Sequence, residues 1–414
     1  AALRACTIVE RTTSNRTPFQ HAYAKVPVQG LFLREGFQLD EKVDGQGRGM
    51  RKFGSILGVI LITAAFGCGP RGTLALLPEN TQPTQEKTVL VATSRPPVAP
   101  PVFFGDGRSY GTSYARFQIS VPPKRKLGEV EYPRNDRIDP KEQFLVSSFT
   151  RFGTRHDFAH AINSELARQP AGITQGTLFV HGFNTNFPEG VMRDVALVLD
   201  TGRPGVNVVY SWPSAGSVLK YLDDRESVLF ARDSVKETFE TMSQSQLSNY
   251  LVVAHSMGTF VVMDALRELA LENKLQTLRK MKAVVLISAD LDIDVFLKQA
   301  PLVLAAGVPI VLLTTEDDLA LRTSATIRGQ GDRVGDLRDN TRLGGLDIPV
   351  FDLSNVESGG ILKHFKIGSS SEILNFLKVL NQSGHGVFSG KLAGPVINVS
   401  EEALEGATDV LLTE

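Results

Sequence analysis

The stretch "LVVAHSMGTF", Leu251–Phe260, is the segment on which the reading of this chain turns. Its centre, Ala254-His255-Ser256-Met257-Gly258, differs by one residue from G-x-S-x-G. That pattern places a serine on a sharp turn between a strand and a helix, with its hydroxyl exposed for chemistry. The run "NYLVVAH" (249–255) has the apolar character of a buried strand, and "MGTFVVMDALRELAL" (257–271) reads as a helix. Strand and helix approach closely at such a turn, so small residues are needed two before and two after the serine. Ala254 and Gly258 meet that need. The plain alternative is a serine that simply caps a helix N-terminus.

Working outward, strands and helices alternate. "TVLVATS" (88–94), "ARFQISV" (115–121) and "QFLVSS" (143–148) read as strands, and Arg155–Gln169 has helical apolar spacing. Then come a strand at 176–182, a helix from about Pro188 to Leu199, a strand at 206–212 and a long helix within Tyr221–Met242. Beyond the serine, "MKAVVLIS" (281–288) and "VPIVLLTT" (308–315) are continuous apolar runs; "LDIPVFDLS" (346–354) is a further strand and "SEILNFLKVL" (371–380) a closing helix. Runs apolar on both faces belong to parallel strands covered by helices on each side. The alternation predicts an α/β fold, a mostly parallel, doubly wound sheet flanked by helices, with the three early strands as an antiparallel edge. Ligands of such sheets sit at the carboxyl ends of the strands.

A serine nucleophile needs a base and a group that orients it. On this kind of sheet the chain order is Ser, acid, His. Of the seven histidines, His21 lies in the front segment, and His156, His160 and His181 precede the serine. His255 adjoins it and is expected to point away on the turn. Only His364 and His385 follow, and His364, between the last strand and the last helix, is the expected base. For the acid, "LLTTEDDLAL" puts Glu316, Asp317 and Asp318 past a buried strand, and Asp290 follows the preceding one; a carboxylate there equally caps a helix. The N–H groups of Met257 and of Phe183, in "HGFNTNF", are the expected oxyanion donors, with His181 bracing that loop.

Composition sets limits. The chain has 414 residues, 42% hydrophobic, and a formal charge of -1, so it has no broad electrostatic case for binding nucleic acid. Two cysteines, Cys6 and Cys68, exclude a disulfide framework and a cysteine zinc cluster. "HDFAH" spaces two histidines as in a zinc helix, but no third ligand is evident, and no metal or cofactor is expected. "GQGDRVGDLRDNTRLGG" (329–345) lacks the ending of a phosphate-binding loop and reads as a mobile loop or lid.

The front end is different. Residues 1–49 lack sustained periodicity and are read as an upstream translation artefact or a disordered segment. From Met50, a basic pair (Arg51, Lys52), an apolar run (53–66) and small residues lead to Cys68. The run is short for a bilayer span and has signal-peptide proportions. The order resembles a bacterial lipoprotein signal (50–68), which implies attachment to the cell envelope through acylated Cys68; the plain alternative is a simple cleaved signal or an N-terminal anchor helix. Residues 69–87 read as a linker, a tether of about 20 residues from Cys68 to Thr88. The main domain is expected over 88–382 and a weakly ordered tail over 383–414.

"VLVATSR", "FVHGFNTNF", "YSWPSAGSVLKYLDDRESVLFAR", "VVAHSMGTFVVMDAL", "DLDIDVF" and "DDLALRTSATIRGQGDRVGD" together resemble a bacterial family of α/β-hydrolases of unknown function, related to esterases and lipases. The block Tyr210–Arg232 is its most specific mark. The resemblance covers roughly Val89–Leu380 and implies the α/β-hydrolase fold, Ser256 as nucleophile, and Asp318 rather than Asp317 as the acid. The Gly usual before the histidine is missing in "LKHFKIG". The expected function is hydrolysis of a small-molecule carboxylic ester through an acyl-enzyme. An acyltransferase with the same triad, or a non-catalytic tethered binding protein, is the alternative.

Overall fold

The computed structural model describes residues 71–126, 128–133, 137–314, 332–337, 341–352 and the backbone of 397–398. All belong to one unit, Phe66–Glu414. Among the described residues, ten strands form a single sheet in the order β10-β9-β8-β7-β6-β4-β5-β1-β2-β3. The early strands are β1 (Glu86–Thr93), β2 (Ser113–Ser120) and β3 (Leu145–Phe152). The central ones are β4 (Gln175–Val180), β5 (Val206–Ser211) and β6 (Asn249–His255). The far side adds β7 (Met281–Ile287), β8 (Ile310–Thr314), β9 (Val350–Asp352) and β10 (Ile397–Asn398).

The expected doubly wound sheet is present, with one change at its edge. β1 pairs parallel with β5 and antiparallel with β2, and β2 pairs antiparallel with β3. Thus β1 is an interior strand, and β2 alone runs against the others. Val89, Leu90 and Val91 are all buried, as an interior strand covered on both faces requires.

Side-chain alternation divides the core in two. Leu90, Leu178, Val252, Ala254 and Val284 face one layer, built on α1 (Arg155–Leu166), α4 (Arg232–Gln244), α5 (Gly258–Leu271) and α7 (Ile293–Ala305). Val89, Phe179, Leu251, Val253 and Val285 face the other, with α2 (Phe187–Thr201) and Phe103 and Phe104. Two short helices remain: α3 (Tyr221–Phe230) and α6 (Leu275–Arg279). The single long helix expected within 221–242 is broken at Ala231, whose carbonyl receives the Tyr210 hydroxyl at 3.3 Å. α2 starts on a capping box, in which Asn186 and Glu189 each take the other's backbone N–H.

The expected linker needs correction over its first part. Leu74 is buried, and Ala75 and Leu77 exchange backbone hydrogen bonds with Val146 of β3 at 2.9 and 2.8 Å. Arg71 bonds Glu189 at 2.6 Å and both oxygens of Asn184 at 2.9 and 3.0 Å. These partners lie from 69 to 118 positions away, which a linker composition conceals. Residues 1–70 and the tail beyond 398 lie outside the described residues. No helix among the described residues is long and apolar enough to cross a membrane.

Candidate active site

Ser256 follows β6 with φ +51°, a left-handed conformation that a residue with a Cβ adopts only under constraint. Its N–H reaches the Ile287 carbonyl at 2.9 Å. Its own carbonyl accepts from Thr259 N–H (3.0 Å), the Thr259 hydroxyl (2.6 Å) and Asp290 N–H (3.3 Å). The N-cap of α5 is Met257, and no side chain caps it. The helix-cap explanation of Ser256 therefore fails, and the strained strand-to-helix turn stands.

Packing explains the small residues. A Cβ on Gly258 would lie 2.4 Å from the His181 carbonyl oxygen and 2.9 Å from that of Val180. A Cβ on Gly182 would lie 2.8 Å from Ser256 Cβ and 2.7 Å from His255 Nδ1. The His255 ring thus lies against Gly182. Ala254 is fully buried within the strand, between Val180 and Leu286, and its methyl group fits there. The departure from G-x-S-x-G falls at the position with room for it.

The loop after β4 carries Phe183, next to Gly182 and hence next to the serine. Among the described residues, neither the Phe183 N–H nor the Met257 N–H enters a hydrogen bond. Phe183 adjoins Ser256 through Gly182 in space, and Met257 adjoins it in sequence. Left-handed backbone recurs at Asn184 (φ +54°) in this loop and at Ser288 (φ +45°) after β7. Each such residue costs about 1–3 kcal/mol and persists only where its surroundings impose it. All three stand at the carboxyl ends of neighbouring strands.

Buried polar residues fix the loop. His181 Nδ1 meets the Gly182 carbonyl at 2.9 Å, so it carries the proton. Nε2 then accepts from the Ser211 hydroxyl at 3.1 Å. The ring stacks on Trp212, whose indole N–H bonds the His181 carbonyl at 2.7 Å. Burial, aided by the charge of Arg95, holds the His181 pKa down at about 3, so the ring is neutral and acts as a brace. Fully buried Arg95 bonds Ser211 Oγ (3.2 Å), Thr185 O (3.3 Å) and Ser214 O (2.9 Å), tying β1 to the loops after β4 and β5. Burial pulls its pKa down to about 10, which leaves it charged. Asp224 accepts from the Ser214 hydroxyl (2.6 Å) and Ala215 N–H (2.7 Å). In the sequence, Arg95, Ser214 and Asp224 stand out only as parts of motifs. Their polarity beside apolar runs is the available signal, but their partners are distant in the chain.

Asp290, past β7, is buried. It accepts from the Tyr221 hydroxyl at 2.7 Å and pairs with Arg333 at 3.3 Å. Arg333 belongs to the stretch expected as a mobile loop; its neighbours Val334 and Gly335 bond the carbonyls of Leu291 and Ala289 at 2.9 and 3.0 Å. The part of that stretch from 332 to 337 is therefore fixed to the end of β7. Asp317 and Asp318, just past β8, and His364 and His385, past β9, lie outside the described residues, as does Cys68. Strands β8 and β9 lie successively beyond β7 and run parallel to it, so both strands end on the side of the sheet where Ser256 stands.

No group of three metal-binding side chains occurs among the described residues; His156 and His160 only meet edge to face on α1. A cleft of about 800 Å³ beside the α2 N-terminus is lined by Arg71, Leu74, Leu76, Val102, Phe104 and Ile138, among others. It does not include Ser256.

A parallel sheet flanked by helices, with a strained serine where its central strand turns into a helix, defines the α/β-hydrolase architecture. The chain belongs to the family described as alpha/beta hydrolase of unknown function (DUF900), whose model matches residues 155–382, more than half its length. Solved structures similar to it include an inhibited esterase B from Lactobacillus rhamnosis, with 12% identity and TM-score 0.31, covering 53% of this chain and 82% of that one. Aspergillus fumigatus lipase B is 13% identical with TM-score 0.34, covering 64% and 67%. A Pyrobaculum calidifontis esterase is 13% identical with TM-score 0.31, covering 55% and 92%. No curated protein matches the sequence.

Proposed function

We propose that this protein is a serine hydrolase that cleaves carboxylic esters of small molecules through an acyl-enzyme. The observation that carries this reading is the left-handed, tightly enclosed turn at Ser256, with the Phe183 and Met257 N–H groups beside it. In the proposed reaction, Ser256 Oγ bonds to the ester carbonyl carbon while His364 takes its proton. The Phe183 and Met257 N–H groups hold the oxyanion, and His364 returns the proton to the departing alkoxide as its C–O bond breaks. Water then repeats the sequence on the acyl-enzyme and frees the acid. Asp318 orients His364. No cofactor enters this scheme. An acyltransferase would use the same first half, with an alcohol acceptor in place of water.

The test is labelling with a fluorophosphonate, followed by p-nitrophenyl esters of increasing chain length. The wild type should be labelled and Ser256→Ala should not, with similar thermal stability. Equal labelling of both, or of neither, ends this reading and favours a non-catalytic binding protein. The order of basic, apolar and small residues before Cys68 supports a location on the cell envelope, with lipid on that cysteine. Mass spectrometry of the mature N-terminus from a Gram-negative host checks it, and an unmodified chain retaining Arg51 and Lys52 refutes it.

A further inference from the structure

The most distinctive sequence block, "YLDDRES", has work left over once the serine chemistry is assigned. Tyr221 and Arg225 stand one turn apart on α3 and so share a face. Tyr221 points to the site, since its hydroxyl bonds Asp290, whose N–H bonds the Ser256 carbonyl. Its ring also meets Phe183, the residue with the oxyanion N–H, edge to face at 5.1 Å. Arg225 lies over the Phe260 ring, 4.2 Å from its centroid. Phe260 is in the first turn of α5, four residues past Ser256. Arg225 therefore stands on the wall of the catalytic turn.

This guanidinium is unusual in its partners. Its Nη1 is buried and has no hydrogen-bond partner. No carboxylate among the described residues is within ion-pair distance of it. Asp290, whose charge it feels, is already engaged by Tyr221 and Arg333. A half-buried cation with an unmet donor is costly unless a ligand meets it. Stacking on the Phe260 face leaves the Nε and Nη2 edge of the guanidinium without a hydrogen bond among the described residues, and that planar edge matches a carboxylate. Phe260 and Arg225 both remain partly open to solvent.

We infer that Arg225 is a specificity-determining residue that binds a carboxylate carried by the substrate, so that the preferred substrates are esters bearing a second, ionised carboxyl group. This inference rests on the reading of Ser256 as the catalytic serine.

The full-length protein is tested with monoethyl succinate, which is anionic, against diethyl succinate, which is neutral. Rates are followed by titration of released acid. The wild type should favour the monoester in kcat/KM by about ten-fold or more, the scale of one charge-assisted hydrogen-bonded contact. Arg225→Met should collapse the ratio between the two esters, and Arg225→Lys should retain part of it. A purely structural role would lower both rates together and leave the ratio unchanged. Binding to Ser256→Ala, measured by calorimetry, gives a readout without turnover: monoethyl succinate should bind more tightly than the diester, and Ser256→Ala/Arg225→Met should lose the difference. No preference in wild-type kinetics or in Ser256→Ala binding overturns the inference. Absent labelling and absent hydrolysis with a preserved binding preference would instead overturn the hydrolase reading and keep the anion site.

Discussion

Gly258 has no space for a methyl group, whereas Ala254, four positions earlier, already carries one. The difference predicts unequal effects from substitutions of the same size. Gly258→Ala drives a Cβ into the His181 carbonyl and should cost about 1–3 kcal/mol, the usual cost of overpacking, together with much of the fluorophosphonate labelling. Ala254→Gly should change melting temperature and labelling little. Thermal denaturation and labelling of the two variants check this, and equal losses would contradict the packing account. At this scale the sequence is legible where the constraint is local. Ser256, Met257 and Gly258 are neighbours, and their order alone calls for a tight turn. Arg95 is not legible: it joins Thr185 and Ser214, 90 and 119 positions away, and nothing near it in the chain forecasts those partners.

The strand ends separate two candidate acids by what else they hold. Asp290 after β7 balances Arg333, so Asp290→Asn leaves a buried cation uncompensated and should lower the melting temperature. Asp318, past β8, has the chain order of the orienting acid. Asp318→Asn should lower kcat strongly with less effect on melting, as should His364→Ala, while Asp317→Asn and His385→Ala should be mild. Kinetics and melting curves for the five variants decide it. If only Asp290→Asn is catalytically severe with its fold intact, the acid belongs to the earlier strand end. Elements with a strong period are legible almost to the residue: 249–255 matches β6 in full, and 206–212 exceeds β5 by one residue. α7 is concealed because Pro301 interrupts its pattern, yet the helix continues through it, started by Asp292, whose carboxylate takes the N–H groups of Asp294 and Val295. The break at Ala231 is hidden for the opposite reason: the spacing runs through it, and the bond from Tyr210 is tertiary.

The stability of the whole domain should carry a pH signature from Asp194. Burial pushes this carboxyl up to about 8, against a bond from Asn207 and the field of Lys87 that both lower it. In the unfolded chain an aspartate ionises near pH 4. The folded state therefore holds an extra proton between about pH 4 and about pH 8. The stability it confers is complete below the lower value and lost as pH rises through the upper one. Asp194→Asn removes the titration. Its melting temperature relative to wild type should rise steadily from about pH 4 to about pH 8 and level off above, as differential scanning calorimetry would show. A constant difference across that range would place the pKa near its ordinary value.

The clasp of Arg71 on Glu189 and Asn184 reaches beyond the fold. It fixes the chain three residues after Cys68, so the free leash of an acylated protein shrinks from the roughly twenty residues read in the sequence to at most three. At about 3.3–3.6 Å per extended residue, such a leash spans roughly 10 Å. A lipid on Cys68 would thus moor the molecule by the rim that carries the loop after β4, and the proposed catalytic turn at Ser256 would ride close above the bilayer. Esters at the membrane face would then be its nearest supply, and the grip of a single arginine would set its orientation toward them.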